Sequence, residues 1–288
     1  MALSYQHEYH AGNHADILKH ICLCLILESL CRKDKPFTVI DTHSGAGIFS
    51  LNDERLLKTG EAKKGIERLH QITMLRKDIP HGIELYMQKE APYIESGKYA
   101  GSPELERLFL REQDTLHLIE KHPSAVRDLM QNMGGSKTAR IHNADCYETL
   151  KALTPPPVRR GLILCDPSFE DADDYMNAYR ALSLAHKKWG TAIIALWYPI
   201  LTRRKNERNQ MLSMLENSVK TGASASECIR LELETRAPGA TDGDSLSHMY
   251  GSGMMVINPP WQLKEEAERC TGFLSLLREQ EPYQGNVY

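Results

Sequence analysis

The chain has 288 residues, 41% hydrophobic and 25% charged, an ordinary soluble composition for one large domain or two small ones. No apolar run approaches the roughly 20 residues of a membrane span, and the N-terminus carries no basic-then-apolar leader pattern. A formal net charge of -3 excludes a strongly basic nucleic-acid coat and leaves room for a local basic patch.

The first element is "NHADILKHICLCLILESLCRKDK", apolar on most sides with Asn13 as N-cap, which predicts a buried helix. Cys22 and Cys24 lie inside it, and the seven cysteines form no CxxC pair, so buried free thiols of a cytoplasmic protein are expected. A short β-rich run, "PFTVID", then opens into the glycine turn "THSGAG". About fifty polar, helix-favouring residues follow and interrupt an alternation that later resumes. This predicts an α/β body over 1–52 and 101–288 with a helical insert over 53–100. The resumed pattern is "SPELERLFLREQ" helix, "TLHLIE" strand, "SAVRDLMQNM" helix, "ARIHNAD" strand, "CYETLKAL" helix and "GLILCD" strand. Next come helix "DADDYMNAYRALSLAHKKW", strand "TAIIALWYP", helix "RRKNERNQMLSMLENSV", strands "ECIRLELET" and "GMMVINP", and the final helix "KEEAERCTGFLSLLREQ". Strands alternating with helices predict a doubly wound α/β fold, a seven-stranded, mostly parallel sheet. Only a loop separates the last two strands, so one antiparallel strand is expected. The glycine-rich stretch near 238–253 is the expected mobile segment.

Ligands of open α/β sheets bind beyond the carboxyl ends of the strands, at the switch point. Gly45 and Gly47 end the first strand there and let backbone approach a ligand closely. A dinucleotide site wants GxGxxG, but the third residue after Gly47 is Ser50. The spacing favours a nucleoside such as S-adenosylmethionine. Glu120 closes the next core strand, where it would accept from ribose hydroxyls. Asp145 closes the one after, where it would meet an adenine amine; a solvated strand-end acid is the bland reading of each.

Two proline motifs compete for the chemistry, Asp166-Pro167-Ser168-Phe169 and Asn258-Pro259-Pro260-Trp261. Asp166 ends the fourth of seven strands, beside the first and its glycine turn. Asn258 follows the last strand, where a rigid exit is the simpler reading. A carboxylate and the Pro167 carbonyl accepting both N–H bonds of an adenine amine would favour its reactive form. Phe169 offers a face for a flipped-out base.

"SYQHEYHAGNHADILKH", "DTHSGAG", "GSP", "LIEKHPS", "RRGLILCDP", "ALWYP" and "SGMMVINPPW" occur in this order. With them the chain resembles the RlmJ-type 23S ribosomal RNA adenine-N6 methyltransferases over nearly its whole length. The resemblance implies a Rossmann-like class I methyltransferase fold with a small helical insert, S-adenosylmethionine as cofactor and one adenine of 23S rRNA as substrate. It implies cofactor contacts from Lys19, His20, His43, Ser102, Glu120, Asp145, Cys146 and Asp166, with Asp166 as catalytic acceptor and Tyr5 near the substrate base. That family usually reads Asp-Pro-Pro-Tyr, so Ser168 and Phe169 depart from it.

His7, His10, His14 and His20 have no regular ligand spacing, and no metal is expected. The clusters His186–Lys188, Arg159 with Arg160, and Arg203–Arg208 are candidate phosphate contacts, each by default a solvated face. A monomer is expected. Three rival readings stand beside the rRNA enzyme. One is methylation of DNA adenine or a protein amide. The second is an RNA-binding module that has lost the reaction. The third is a nucleotide-dependent oxidoreductase, disfavoured by the glycine spacing.

Overall fold

A computed structural model describes residues 9–221, 226–235 and 249–278. Seven strands form one sheet: β1 (Thr38–Asp41), β4 (Thr115–Glu120), β5 (Ala139–Asn143), β6 (Gly161–Cys165), β7 (Ile193–Leu201), β8 (Cys228–Glu234) and β9 (Met249–Ile257). Their order is β5-β4-β1-β6-β7-β9-β8. Pairing is parallel from β5 through β7, and β9 runs antiparallel to both β7 and β8. This is the mostly parallel, doubly wound sheet with one reversed strand that the sequence predicts. β1 lies between β4 and β6, so the chain winds away from it in both directions and the switch point falls at its carboxyl end.

Alternation along the strands divides the core between the two faces. Val39, Leu116, Leu162 and Leu164 join one cluster with helix α1 (His14–Cys31), α5 (Ser102–Phe109) and α10 (Leu263–Leu274). Ile40, Ile163, Cys165 and Ile194 join another with α8 (Ala172–Lys188) and α9 (Lys205–Lys220). Helices α6 (Pro123–Met133) and α7 (Cys146–Leu153) complete the crossovers.

A second, two-stranded sheet was not legible in the sequence. β2 (Ile48–Ser50) pairs antiparallel with β3 (Lys98–Ala100) at the two ends of the predicted insert. Between them lie α2 (Glu54–Thr59), a π turn at Lys63–Glu67, α3 (Arg68–Leu75) and α4 (His81–Glu95). Buried insert residues Ile66, Leu69, Ile83 and Tyr86 belong to the same apolar cluster as α1. This explains why α1 is apolar on nearly every side: the sheet covers one flank and α4 covers another. Of the stretch 238–253 expected to be mobile, residues 249–253 open β9 and the others lie outside the described residues.

Candidate active site

Acids collect where the parallel strands end. Asp41 is the last residue of β1, Glu120 the last of β4, Asp145 caps α7 just after β5, and Asp166 follows β6. β1 and β6 are buried along their whole length, so Asp41 and Asp166 are the acids at which their buried runs stop, and Glu120 and Asp145 fall at the same edge of the sheet.

Asp41 is fully buried. Its carboxylate accepts from Ser102 Oγ at 2.7 Å and from the His43 backbone N–H at 3.1 Å. Burial still pushes its carboxyl up to about 7, against those two bonds and the Lys19 charge. Glu120 holds the glycine turn in place. It accepts from the Gly45 N–H at 2.8 Å and from the Lys121 and His122 N–H groups at 2.8 and 2.7 Å. Gly45 and Gly47 have φ of 61° and 79°, the left-handed region that glycine enters without strain. A Cβ on Gly47 would stand 3.2 Å from Leu129.

Asp145 accepts from the Tyr147 N–H at 3.1 Å and pairs with Lys121 at 3.2 Å. Burial raises its carboxyl, but the helix N–H bonds and Lys121 together bring it below the usual value. Cys146 opens α7, and burial raises its thiol to about 12, so it stays protonated. His43 bonds Thr42 Oγ1 through Nδ1 at 2.8 Å, and its ring meets Tyr147 edge-on at 5.8 Å. Burial lowers its pKa and favours the neutral ring.

Lys19 is buried on α1 between two carboxylates, Asp16 Oδ1 at 2.8 Å and Asp166 Oδ2 at 2.5 Å. Burial works against its charge, but the two acids prevail and hold it protonated. Asp16 also accepts from the Gly12 N–H at 2.9 Å. Asp16 is the site residue that sequence reasoning missed. Its signal was present: two charges three residues apart in an otherwise apolar, buried helix need each other or a third partner.

The structure brings Lys19, His43, Gly45, Gly47, Ser102, Glu120, Asp145, Cys146 and Asp166 to this edge. His20 lies deeper, 1% exposed, with Nδ1 bonded to the Tyr99 hydroxyl at 2.8 Å and its ring stacked on Tyr99. Tyr5 and His7 lie outside the described residues. Pro167 is buried and Ser168 exposed. Phe169 differs from the open face expected of it. Its ring is 1% exposed, 4.5 Å from Tyr175 and 6.2 Å from Trp197, on a backbone with φ of 52°. A left-handed φ is costly for an aromatic residue and persists because that packing holds it.

Asn258-Pro259-Pro260-Trp261 is at the other end of the molecule. β9 runs backwards, with Ile257 opposite Ile194, so its end meets the starts of the parallel strands. Asn258 Nδ2 donates to the carbonyls of Gly190 and Ala192, both at 2.8 Å, and fixes the chain's exit. Asn258 therefore stands away from the edge at which Asp41, Glu120, Asp145 and Asp166 collect.

Comparison with known proteins places the chain in a family. Residues 34–286 match the family model described as "RsmJ: Ribosomal RNA large subunit methyltransferase D, RlmJ". The chain is 42% identical over 275 residues to "Ribosomal RNA large subunit methyltransferase J" of Escherichia coli, covering 94% of this chain and 92% of that protein. It is 38% identical over 273 residues to the protein of the same name in Haemophilus influenzae, covering 95% and 93%. Among solved structures, protein LPL1258 from Legionella pneumophila superposes with a TM-score of 0.80 at 31% identity, covering 93% of this chain and 94% of that one.

Proposed function

The chain belongs to the RlmJ family of ribosomal RNA large subunit methyltransferases, and from that premise we propose that it methylates the exocyclic N6 amine of one adenine in 23S rRNA, using S-adenosylmethionine. The observation that carries this reading is the row of strand-end acids at the switch point, with Asp166 anchored by Lys19.

The donor set fits the cofactor. Glu120 beside the glycine turn suits ribose hydroxyls, Asp145 suits an adenine amine, and Lys19 suits a carboxylate. Asp16 and Asp166 on either side of Lys19, with Glu120 and Asp145 at the same edge, also suit a ligand with a cationic sulfonium and ammonium. Ser102, His43, Gly45, Gly47 and Cys146 shape the same wall, and His20 supports it from beneath through Tyr99. When bound, the cofactor supplies an electrophilic methyl group on positively charged sulfur.

Asp166 and the Pro167 carbonyl accept the two N–H bonds of the target amine and turn its lone pair outward from the ring. Lys19 holds Oδ2 of Asp166, which aims Oδ1 at the amine. As the new N–C bond forms, the amine's surplus proton passes to Asp166 and on to water, since 16% of that side chain is exposed. Base stacking on Phe169 requires the loop to swing the ring out of the core. Tyr5 would approach the base from the N-terminal segment. The body over 1–52 and 101–288 carries the reaction, and the insert over 53–100 braces α1.

The test is incubation of the purified protein with radiolabelled S-adenosylmethionine and unmodified 23S rRNA, followed by nucleoside analysis. Label in N6-methyladenosine is the expected result. Label transferred only to DNA or protein, or none with cofactor bound, would refute the reading.

A further inference from the structure

Trp261 is 84% exposed, while Trp189 is 1% exposed and Trp197 half-buried. Its position is fixed from behind by the two Asn258 bonds, the left-handed φ of 54° at Asn258 and two prolines that restrict the backbone. An exposed indole on a fixed stretch of backbone beside a basic groove offers a stacking face to a ligand.

Trp261 divides two grooves. One, beside α10, mixes Arg32, His81 and Arg269 with Glu28, Glu265 and Glu266. The other, of about 410 Å³, runs past the starts of β6 and β7 and is lined by Arg32, Lys33, Arg160, Thr191, Pro260 and Trp261, with no carboxylate among the described residues that line it. Arg32 shares Glu28 at 3.4 Å. Arg160 donates to the carbonyls of Leu30 and Lys35, so its charge is held in place and, among the described residues, is in no ion pair. In a chain of net charge -3, a carboxylate-free groove with three cations and an exposed indole is a local exception.

We infer that this groove is a second RNA-binding site, taking a single-stranded stretch of the rRNA with a base stacked on Trp261 and phosphates against Lys33, Arg32 and Arg160. Single-strand binders combine these two features, an aromatic platform and a basic track. The inference rests on rRNA being the substrate. Gly161 lines the groove and Asp166 follows the far end of the same strand, so the two sites stand roughly 16 Å apart along β6. RNA long enough to reach both ends of the sheet is gripped at a place remote from the chemistry, which offsets the acidic character of the reactive edge.

The test uses the full chain and a mixed-sequence single-stranded oligoribonucleotide, with Trp261→Ala, Trp261→Phe and Lys33→Glu variants. RNA should quench tryptophan emission in the wild type and not in Trp261→Ala, because Trp261 is the exposed indole. Trp261→Ala should weaken RNA binding about five- to ten-fold, with Trp261→Phe intermediate. Lys33→Glu should flatten the salt dependence of binding by about one ion. The KM for 23S rRNA should rise in parallel, with S-adenosylmethionine affinity and melting temperature unmoved. Unchanged RNA affinity in both Trp261→Ala and Lys33→Glu would overturn the inference. So would unchanged RNA affinity with loss of a wild-type dimer in Trp261→Ala, which would make the groove a contact between copies. A wild-type protein that bound RNA through Trp261 but methylated none would support the groove and refute the proposed reaction instead.

Discussion

Asp41 and Asp166 end neighbouring strands, yet water reaches only one of them. Asp166 is anchored to Lys19 with part of its carboxylate in the open, the condition for gripping an amine. Asp166→Asn keeps the shape, turns one acceptor into a donor and should cut methyl transfer by about 10²–10³ with cofactor affinity nearly intact; wild-type turnover in a labelled-methyl assay would remove Asp166 from its assigned role. Asp41 is sealed in, and its carboxyl stays protonated up to about pH 7. The unfolded chain loses that proton near pH 4, so the folded state's advantage is full below about pH 4 and falls as pH rises to about 7. Asp41→Asn imitates the protonated form and does not titrate. Its stability relative to wild type should therefore rise by about 2 kcal/mol between pH 5 and pH 7, read as a growing gain in melting temperature. A difference flat with pH would mean that Asp41 titrates like an exposed acid. Phe169 gives a third check, because its ring is packed on Tyr175. Phe169→Ala should cost about 3 kcal/mol of stability, whereas a ring lying in solvent would cost little. Asp41 and Asp166 were legible in the sequence because buried runs stop abruptly at them. The burial of Phe169 was not, since nothing local distinguishes a ring that waits for a base from one that fills a core.

At the scale of elements, α1 depends on the insert. Asn13 caps the helix, accepting from the Ala15 and Asp16 N–H groups, and its amide donates to Glu61 Oε2 of the insert at 2.9 Å. The His10 ring bonds the same carboxylate at 3.0 Å, and the Ile66 N–H donates to the Gly12 carbonyl at 2.9 Å. Gly12 in turn holds Asp16, and Asp16 holds Lys19 against Asp166. Gly65 sits where this contact is tightest, since a Cβ there would stand 2.2 Å from the Gly12 carbonyl oxygen. Gly65→Ala should cost about 1–3 kcal/mol and lower turnover as well, because the strain falls on the loop that aims Asp16. Gly272→Ala, on α10 with open space around it, should be neutral or stabilising by up to about 1 kcal/mol. Melting temperatures and turnover of the two variants compared side by side give the answer, and equal effects would dissolve the link between insert and site. The strands and helices of the body were readable from periodicity and length. The β2–β3 pair was not, because each strand has three residues and its partner lies across the whole insert, too short for alternation and too far for a hairpin signal.

For the whole molecule, the question is whether the insert folds with the body. A chain reading of body plus insert divides at 52 and 100, but the apolar cluster does not respect that division. Ile66, Leu69, Ile83 and Tyr86 pack with Leu18, Ile21, Leu25 and Leu105 in one continuous core. Exposing the insert's inner face would strip α1 of cover on one flank, and α1 contributes the lysine that anchors Asp166. Cooperative unfolding follows from shared apolar surface, since neither part can be lost without leaving the other's face wet. Calorimetry should therefore record one transition for the full chain. S-adenosylmethionine at a hundred times its dissociation constant should stabilise the folded state by about 2.7 kcal/mol and move that whole transition upward. Glu120→Ala, which removes the proposed ribose contact and loosens the Gly45 turn, should shrink the shift at a fixed cofactor concentration. Two transitions, of which cofactor moves only the higher, would make the insert an independently melting unit and leave the relay from Glu61 to Asp166 without a thermodynamic basis.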